Sequence, residues 1–467
     1  MNIFLLISDT FRYDNFFDRA AAGPMGMPVR TPNLDAFCER AVSFTRMFTA
    51  SFPTIPHRTD VTTGRFGWPW YPWQSRLGSS PNHMPQVLAK HGYATQLICD
   101  CPHLFRADFD DGFHAAVTTR GQEGDIHFLR TNHAIEHVMP PEKTRYGKHF
   151  QGANLPDISR WINPDWGYEA ACFPPRTAAL VMRWLEENYR HEPLFLWADW
   201  FDPHEPWDPP EYLVRRYDGD YDGCAMVHPN YGKASDLTDA ELRNLRAHYC
   251  AEAELVDRWV GRALQKIDDL ALWDDSIVVF TSDHGFSIGE RNRTGKSNIN
   301  PGDDRFWPVY PEVAHVPFLV AAPGLDGGRE VDAIVQPPDI LPTLLDLAGL
   351  DAETPEPIHG RSFAPLARGE QVPADWRDFA VTASFIRHDK EGKLRPCCVT
   401  PVVYTDRWAY VPIGQQGARE LFDIAADPYC QADLAADNPG VCEDLHAKLV
   451  SFLKEIDAPP EALAVFE

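Results

Sequence analysis

The sequence predicts an α/β fold, a mostly parallel sheet flanked by helices. Three observations predict it. Short apolar runs at 3–7, 194–198 and 277–281 each end near an aspartate, at Asp9, Asp199 and Asp283. Helical patterns separate these runs. At 177–189, Leu180, Val181, Trp184 and Leu185 mark one apolar face, and 242–271 is long, amphipathic and leads directly into the run at 277. Apolar runs alternating with helices fit parallel strands covered on both faces. Functional groups in such sheets gather just beyond the carboxyl ends of the strands, which is where Asp9 and Asp283 stand.

A fourth run at 316–320 is closed by Pro323-Gly324. After about residue 369 the alternation stops. Runs at 379–385, 398–404 and 408–412 are predicted as short antiparallel strands, followed by a helix at 441–456. The expected division is a catalytic α/β domain at 1–370 and a smaller C-terminal α+β subdomain at 371–467. Two irregular stretches, 68–82 and 121–166, are rich in Pro, Trp, His and Gly. They are too long to be simple connections, and such loops shape pockets or interfaces.

Composition bounds the function. The chain has 467 residues, 44% hydrophobic and 24% charged, which suits a soluble enzyme. No apolar run approaches the roughly 20 residues of a membrane span. The opening run is short, lacks a basic start and passes into Ser8-Asp9, so it is expected to be a buried strand rather than a signal peptide. Ten cysteines show no zinc-ribbon spacing; Cys99 and Cys101 flank a single residue, and Cys397 and Cys398 are adjacent. Reduced thiols in a cytoplasmic protein are the expectation. A net charge of −25 argues against nucleic acid or an anionic membrane as a partner. A small anionic ester remains open as substrate, because a bound divalent cation reverses the local field. A homo-oligomer is the expected assembly.

Adjacent Asp283 and His284 follow an apolar strand, and Gly285 permits the backbone turn that lets both face one cation. Thr54-Ile55-Pro56-His57-Arg58, continuing to Thr63-Gly64-Arg65, is the third element. A hydroxyl at a helix start is by itself commonly only a cap. Together with Asp9 and Asp283-His284, however, the segment resembles the signature of the sulfatase-like branch of the alkaline phosphatase superfamily. In that signature the nucleophile is followed by x-Pro-x-Arg and a Thr-Gly-Arg ending. Further segments resemble the family's motifs in order: Asp202-Pro203-His204-Glu205-Pro206, Gly289-Glu290, Lys296, Val316-Pro317, Asp339 to Thr343, Gly360-Arg361-Ser362, and Glu420 to Asp423.

The resemblance implies an alkaline-phosphatase-like fold and one divalent metal held by Asp9, Thr54, Asp283 and His284. It also implies Thr54 as nucleophile, Arg58 and Lys296 as neutralising cations, and His204 as general acid with His103 as a possible sharer. A second metal would draw on Asp199, Asp202, His204 and His359. Three departures bear on the substrate. Sulfatases convert a Cys or Ser to formylglycine, and Thr54 carries a methyl on its β-carbon, so no formylglycine is expected. Asp9-Thr10-Phe11-Arg12 resembles the version found in phosphonate monoester hydrolases, where sulfatases show two successive Asp. The loss of one carboxylate favours Mn, Zn or Fe over Ca. Cys101 stands where sulfatases place a lysine. The expected function is therefore hydrolysis of phosphodiesters or phosphonate monoesters through phospho-Thr54. The alternatives are sulfate ester hydrolysis and a non-catalytic metal-containing binding protein.

Overall fold

The computed structural model describes residues 1–16, 26–73, 82–144, 149–297, 306–351, 353–396 and 399–467. Its main sheet has a parallel core of β8 (Ser276–Ser282), β1 (Asn2–Ser8), β6 (Leu194–Trp200), β4 (Ala94–Cys99) and β5 (Ala115–Thr118), in that spatial order. On the other side of β8, β12 (Phe318–Ala321) joins antiparallel and bridges to β2 (Val42–Phe48). The short β11 (His315–Val316) also pairs antiparallel with β2, and β13 (Arg329–Val335) pairs parallel with it. The mixed α/β sheet is thus mostly parallel, as predicted. The run at 316–320 is its antiparallel member, broken by Pro317, which cannot donate to the ladder.

Side-chain alternation along β1 divides the core. Ile3, Leu5 and Ile7 enter one hydrophobic cluster, and Phe4 and Leu6 enter the other, because successive strand residues face opposite sides. The second face is covered by helices Phe173–Asn188 and Asp239–Asp269. The longer helix starts at a capping box: the Glu241 amide donates to Thr238 Oγ1 at 3.3 Å and the Thr238 amide to Glu241 Oε2 at 2.9 Å.

A second sheet runs β17 (Glu420–Asp423), β16 (Trp408–Val411), β15 (Val402–Tyr404), β14 (Ala380–Ser384) and β3 (Ser51–Phe52). The antiparallel pairs among β14 to β16 follow the sequence pattern, and β17 is a further antiparallel strand that the pattern did not predict. The parallel partner β3 does not follow it either: it comes from the N-terminal part of the chain, with Ala383 opposite Ser51 and Ser384 opposite Phe52. The predicted strand at 398–404 is shorter, and Cys397 and Cys398 lie outside the described residues. The last long helix is Pro439–Glu455. A small third sheet joins β7 (Gly232–Lys233), β10 (Arg293–Gly295) and β9 (Ser287–Ile288).

One buried carboxylate fixes β3 to the helix Thr54–Thr63 that follows it. Asp60 accepts from the Ser51 amide at 2.7 Å, Ser51 Oγ at 2.9 Å and the Gly67 amide at 2.6 Å. Gly64 ends the helix at φ 66°, a left-handed cap suited to glycine. Asp60→Ala strands two buried amides and is expected to lower unfolding free energy by about 3 kcal/mol in urea titration. A second expectation concerns acid. Burial holds His83, His248, His315 and His359 neutral, each with its pKa at about 4, below the usual value near 6.5. Depressed folded pKa values give stability that is present above pH 6.5 and lost as pH falls through 4. The urea midpoint should therefore drop from pH 7 to pH 4, and His248→Gln should flatten that slope.

Candidate active site

Four neighbouring strands deliver their carboxyl ends to one edge. β8 ends into Asp283-His284, β1 into Asp9, β6 carries Asp199 and leads to Asp202-Pro203-His204, and β4 leads to Cys101 and His103. The ends are tied to one another. The Asp9 amide donates to Trp200 O at 2.8 Å, Ser8 Oγ to Asp202 O at 2.8 Å, and the Phe11 amide to Ser282 Oγ at 2.9 Å. Thr10 turns through φ 61°, a left-handed conformation uncommon for a β-branched residue. The turn points its amide at Asp283 Oδ1 (3.0 Å) and its hydroxyl at Asp9 Oδ1 (2.7 Å).

Asp9, Asp283 and His284 each offer a ligand atom, and these atoms lie within 4.8 Å of one another with all three residues buried. The imidazole is oriented for a cation. His284 Nδ1–H donates to Gly285 O at 3.0 Å, which leaves a lone pair on Nε2 in the neutral ring. That nitrogen is buried without a hydrogen-bond partner, 3.7 Å from Asp9 Oδ1 and 3.5 Å from Asp283 Oδ2. Burial first, and then Lys296, push the His284 pKa well down, with Asp9 opposing. A bare nitrogen facing two carboxylates fits a divalent cation, and the mixed N/O donor set suits a transition metal.

Thr54 opens the helix Thr54–Thr63 and is buried. Phe52, just before it, lies with its ring 4.8 Å from the His284 ring. Arg58, one turn further on, ties this helix to the acidic edge. It meets Asp199 through two bonds of 3.1 and 2.8 Å, Asp9 at 3.1 Å, and Asp283. Burial opposes its charge, but Asp199, Asp283 and Asp9 outweigh burial and hold the pKa above its usual value. The expected neutralising cation is thus committed to protein carboxylates. Its neighbour His57 is buried with both ring nitrogens unpartnered.

Lys296 approaches from the opposite side. Its Nζ lies 3.2 Å from Thr10 Oγ1 and 3.4 Å from Glu205 Oε2. His204 stacks on Phe201 with ring centroids 4.0 Å apart, and its Nδ1–H donates to Glu205 O at 2.7 Å. Nε2 is therefore the ring nitrogen left for another partner. Burial lowers the His204 pKa, with Glu205 opposing. His103 Nε2 contacts Glu123 Oε2 at 2.6 Å, and its ring lies 6.0 Å from Phe201. Cys101 is buried, which raises its thiol pKa and leaves it unreactive.

The structure brings Asp9, Arg58, Asp283 and His284 together, with Lys296 at Thr10 and His204 at Glu205. It does not gather the conceivable second-metal set. Asp199 is engaged by Arg58, and His359 accepts from the Phe66 amide at 3.1 Å and stacks near Trp70. Among the described residues, the Asp9, Asp283 and His284 group is the only metal-ligating cluster. Sequence reasoning missed Asp199 as the partner of Arg58, Glu205 as the link between His204 and Lys296, and Glu123 as the partner of His103. Asp199 carried a signal, a carboxylate near the end of an apolar strand. Glu123 carried none beyond its place in a long loop.

A family model described as Sulfatase matches residues 1–350, and one described as N-sulphoglucosamine sulphohydrolase, C-terminal, matches residues 302–458. An endo-4-O-sulfatase of Bacteroides thetaiotaomicron is 27% identical, covering 93% of this chain and 87% of its own. Arylsulfatase K of Bos taurus is 25% identical, covering 97% and 81%. The crystal structure of the phosphonate monoester hydrolase of Agrobacterium radiobacter has the same fold, with a TM-score of 0.74, 22% identity, and 97% and 96% coverage.

Removing Arg58 leaves three buried carboxylates without their guanidinium. Arg58→Met is expected to cost about 3–5 kcal/mol of stability in metal-free protein. Urea denaturation with and without added Mn²⁺ checks this, and the loss should shrink when the metal is present.

Proposed function

The chain belongs to the sulfatase family, and within it we propose a metal-dependent hydrolase of phosphodiesters or phosphonate monoesters that works through a phospho-threonine on Thr54. Thr54 itself carries this reading. A threonine cannot become formylglycine, because its β-carbon bears a methyl group. Without the aldehyde hydrate, a sulfated residue has no elimination route and must be cleared by water at a hindered ester. In-line attack by water on a phosphorylated threonine is an ordinary second half-reaction. Thr10 and Cys101 support the same direction, since each replaces a group that sulfatases use.

One divalent ion held by Asp9, Asp283, His284 and the Thr54 oxygen would supply Lewis acidity to the ester oxygen and lower the pKa of the Thr54 hydroxyl. Manganese, zinc or iron suits this donor set better than calcium. Thr54 Oγ attacks phosphorus, and the bond to the leaving oxygen breaks. Arg58 holds Asp9, Asp199 and Asp283 in place rather than gripping the transferring group. Lys296, beside Thr10, neutralises charge on that group.

His204 Nε2 gives a proton to the leaving oxygen and takes one back from the attacking water. Burial lowers the pKa of this histidine, and an incoming anion favours its protonated form. His103, whose Nε2 contacts Glu123, would share the role. No disulfide joins the eight described cysteines to one another, in keeping with the proposed reducing, cytoplasmic setting. No helix among the described residues is long and apolar enough to cross a membrane.

Sulfate ester hydrolysis is the second reading, favoured by relatives named as sulfatases over more than nine-tenths of the chain. Nitrophenyl phosphodiester, phosphonate, phosphomonoester and sulfate substrates, assayed with Mn²⁺ or Zn²⁺, separate the two. Phosphorus esters should be turned over faster, and mass spectrometry of quenched reactions should find phosphate on Thr54. Thr54→Ala should lower kcat by at least about 10³-fold. Sulfate turnover above every phosphorus ester, or activity surviving in Thr54→Ala, would sink the proposal.

A further inference from the structure

The proposed function leaves the alcohol side of the ester undefined, and an aromatic cluster beside Thr54 bears on it. β14 lies parallel to β3, and the Phe385 amide donates to Phe52 O at 2.8 Å. Two residues beyond these, the two chains reach Thr54 on one side and Arg387 on the other. A parallel bridge between Pro72 and Ile386 carries Trp73 forward beside Arg387. The three tryptophans of this loop then part company. Trp68 is buried in the core and Trp70 stacks near His359. Trp73 stands edge-on to His103, with centroids 5.3 Å apart, in line with Phe201 and His204.

Arg387 lies against two aromatic rings. Its guanidinium carbon lies 4.7 Å from the Phe306 ring centroid and 5.5 Å from that of Phe385. The two rings are themselves 4.7 Å apart, and Trp73 lies 5.9 Å from Phe385. Cation–π contact holds the guanidinium against the rings and leaves its N–H donors unused. Arg12, Arg58, Arg291 and Arg377 each close on a carboxylate. Arg387 has no carboxylate partner among the described residues. Arg130, Arg246 and Arg329, also half-buried and without a carboxylate, donate instead to backbone carbonyls, whereas the Arg387 side chain has no hydrogen-bond acceptor among the described residues. A planar fork of donors matches an oxyanion in bidentate fashion.

Resting on the reading of Thr54 as acceptor of the transferred group, we infer that Trp73 and Arg387 form the leaving-group subsite. They select a flat, apolar leaving group that carries a second oxyanion at its far end. The ring lies along Trp73, and the Arg387 fork meets the anion. Among the described residues, Phe201, Phe306 and Phe385 add apolar rings around these two side chains.

The test uses full-length protein loaded with Mn²⁺. Calorimetry compares phenylphosphonate with 4-carboxyphenylphosphonate, neither of which has an ester to hydrolyse. The protein should bind the carboxylated probe at least about tenfold more tightly. Arg387→Ala should erase that preference while leaving phenylphosphonate affinity within about twofold. Arg387→Lys should restore only part of it, because a point charge lacks the fork. Trp73→Ala should weaken both probes. The subsite is overturned by the absence of any preference, by its survival in Arg387→Ala, or by failure to bind either probe. Thr54-dependent hydrolysis of the simple nitrophenyl esters reports separately. If it persists while the carboxylate preference fails, only the subsite falls; if it is absent, the proposed function falls.

Discussion

Three carboxylates, Asp9, Asp199 and Asp283, meet a single guanidinium at adjacent strand ends. All four groups are buried, and an unpaired charge there would cost several kcal/mol. Arg58 can serve three acids because its planar fork has five donors, a geometry lysine lacks. The same contact docks the start of the helix Thr54–Thr63 onto the ends of β1, β6 and β8, so the position of Thr54 depends on it. One positive charge against three negative ones leaves a deficit. The bare His284 Nε2 faces that deficit directly. The stability of this edge and its negative field therefore both follow from one charge imbalance.

Around this centre, positive charge is rationed by position. Lys296 reaches Thr10 and Glu205, while Arg58 is shut away beneath the acids. The replacement of a second aspartate by Thr10 changes the balance without losing the geometry, since Thr10 still orients Asp9 through its hydroxyl. His204 and His103 occupy the far side, each with a carboxylate neighbour, Glu205 and Glu123. Gln122, next to Glu123, donates to Asp202 Oδ1 at 2.6 Å. The long stretch at 121–166 thereby reaches the site that the sheet builds.

The second sheet is bound to the first through β3, the two residues preceding Pro53 and Thr54. A strand so short has little stability of its own. It persists because Asp60 holds Ser51 from one side and β14 pairs with it from the other. This arrangement delivers Phe385 and Arg387 to the neighbourhood of Thr54. The C-terminal segment thus contributes to the surroundings of the site as well as to the core formed by Val381, Val403 and Leu449.

Much was legible in the sequence because it is local. Apolar runs ending in acids announced β1, β6 and β8, and parallel topology puts such ends on one edge. Thr54 and Arg58 are four residues apart, which places them on one helix face. Strand-end position singled out Asp9 and Asp283, the resemblance to the sulfatase-like signature grouped them with His284, and the departures at Thr54, Thr10 and Cys101 could be read without coordinates. The partners could not. That Arg58 would be enclosed by Asp199, that His204 and Lys296 would meet at Glu205, or that Trp73 alone of three tryptophans would face His103, depends on contacts between residues far apart in the chain. Hydrophobic periodicity fixes which residues are buried and on which face. It carries no information about which buried charge pairs with which, because that choice is made only when distant strand ends and loops are packed together.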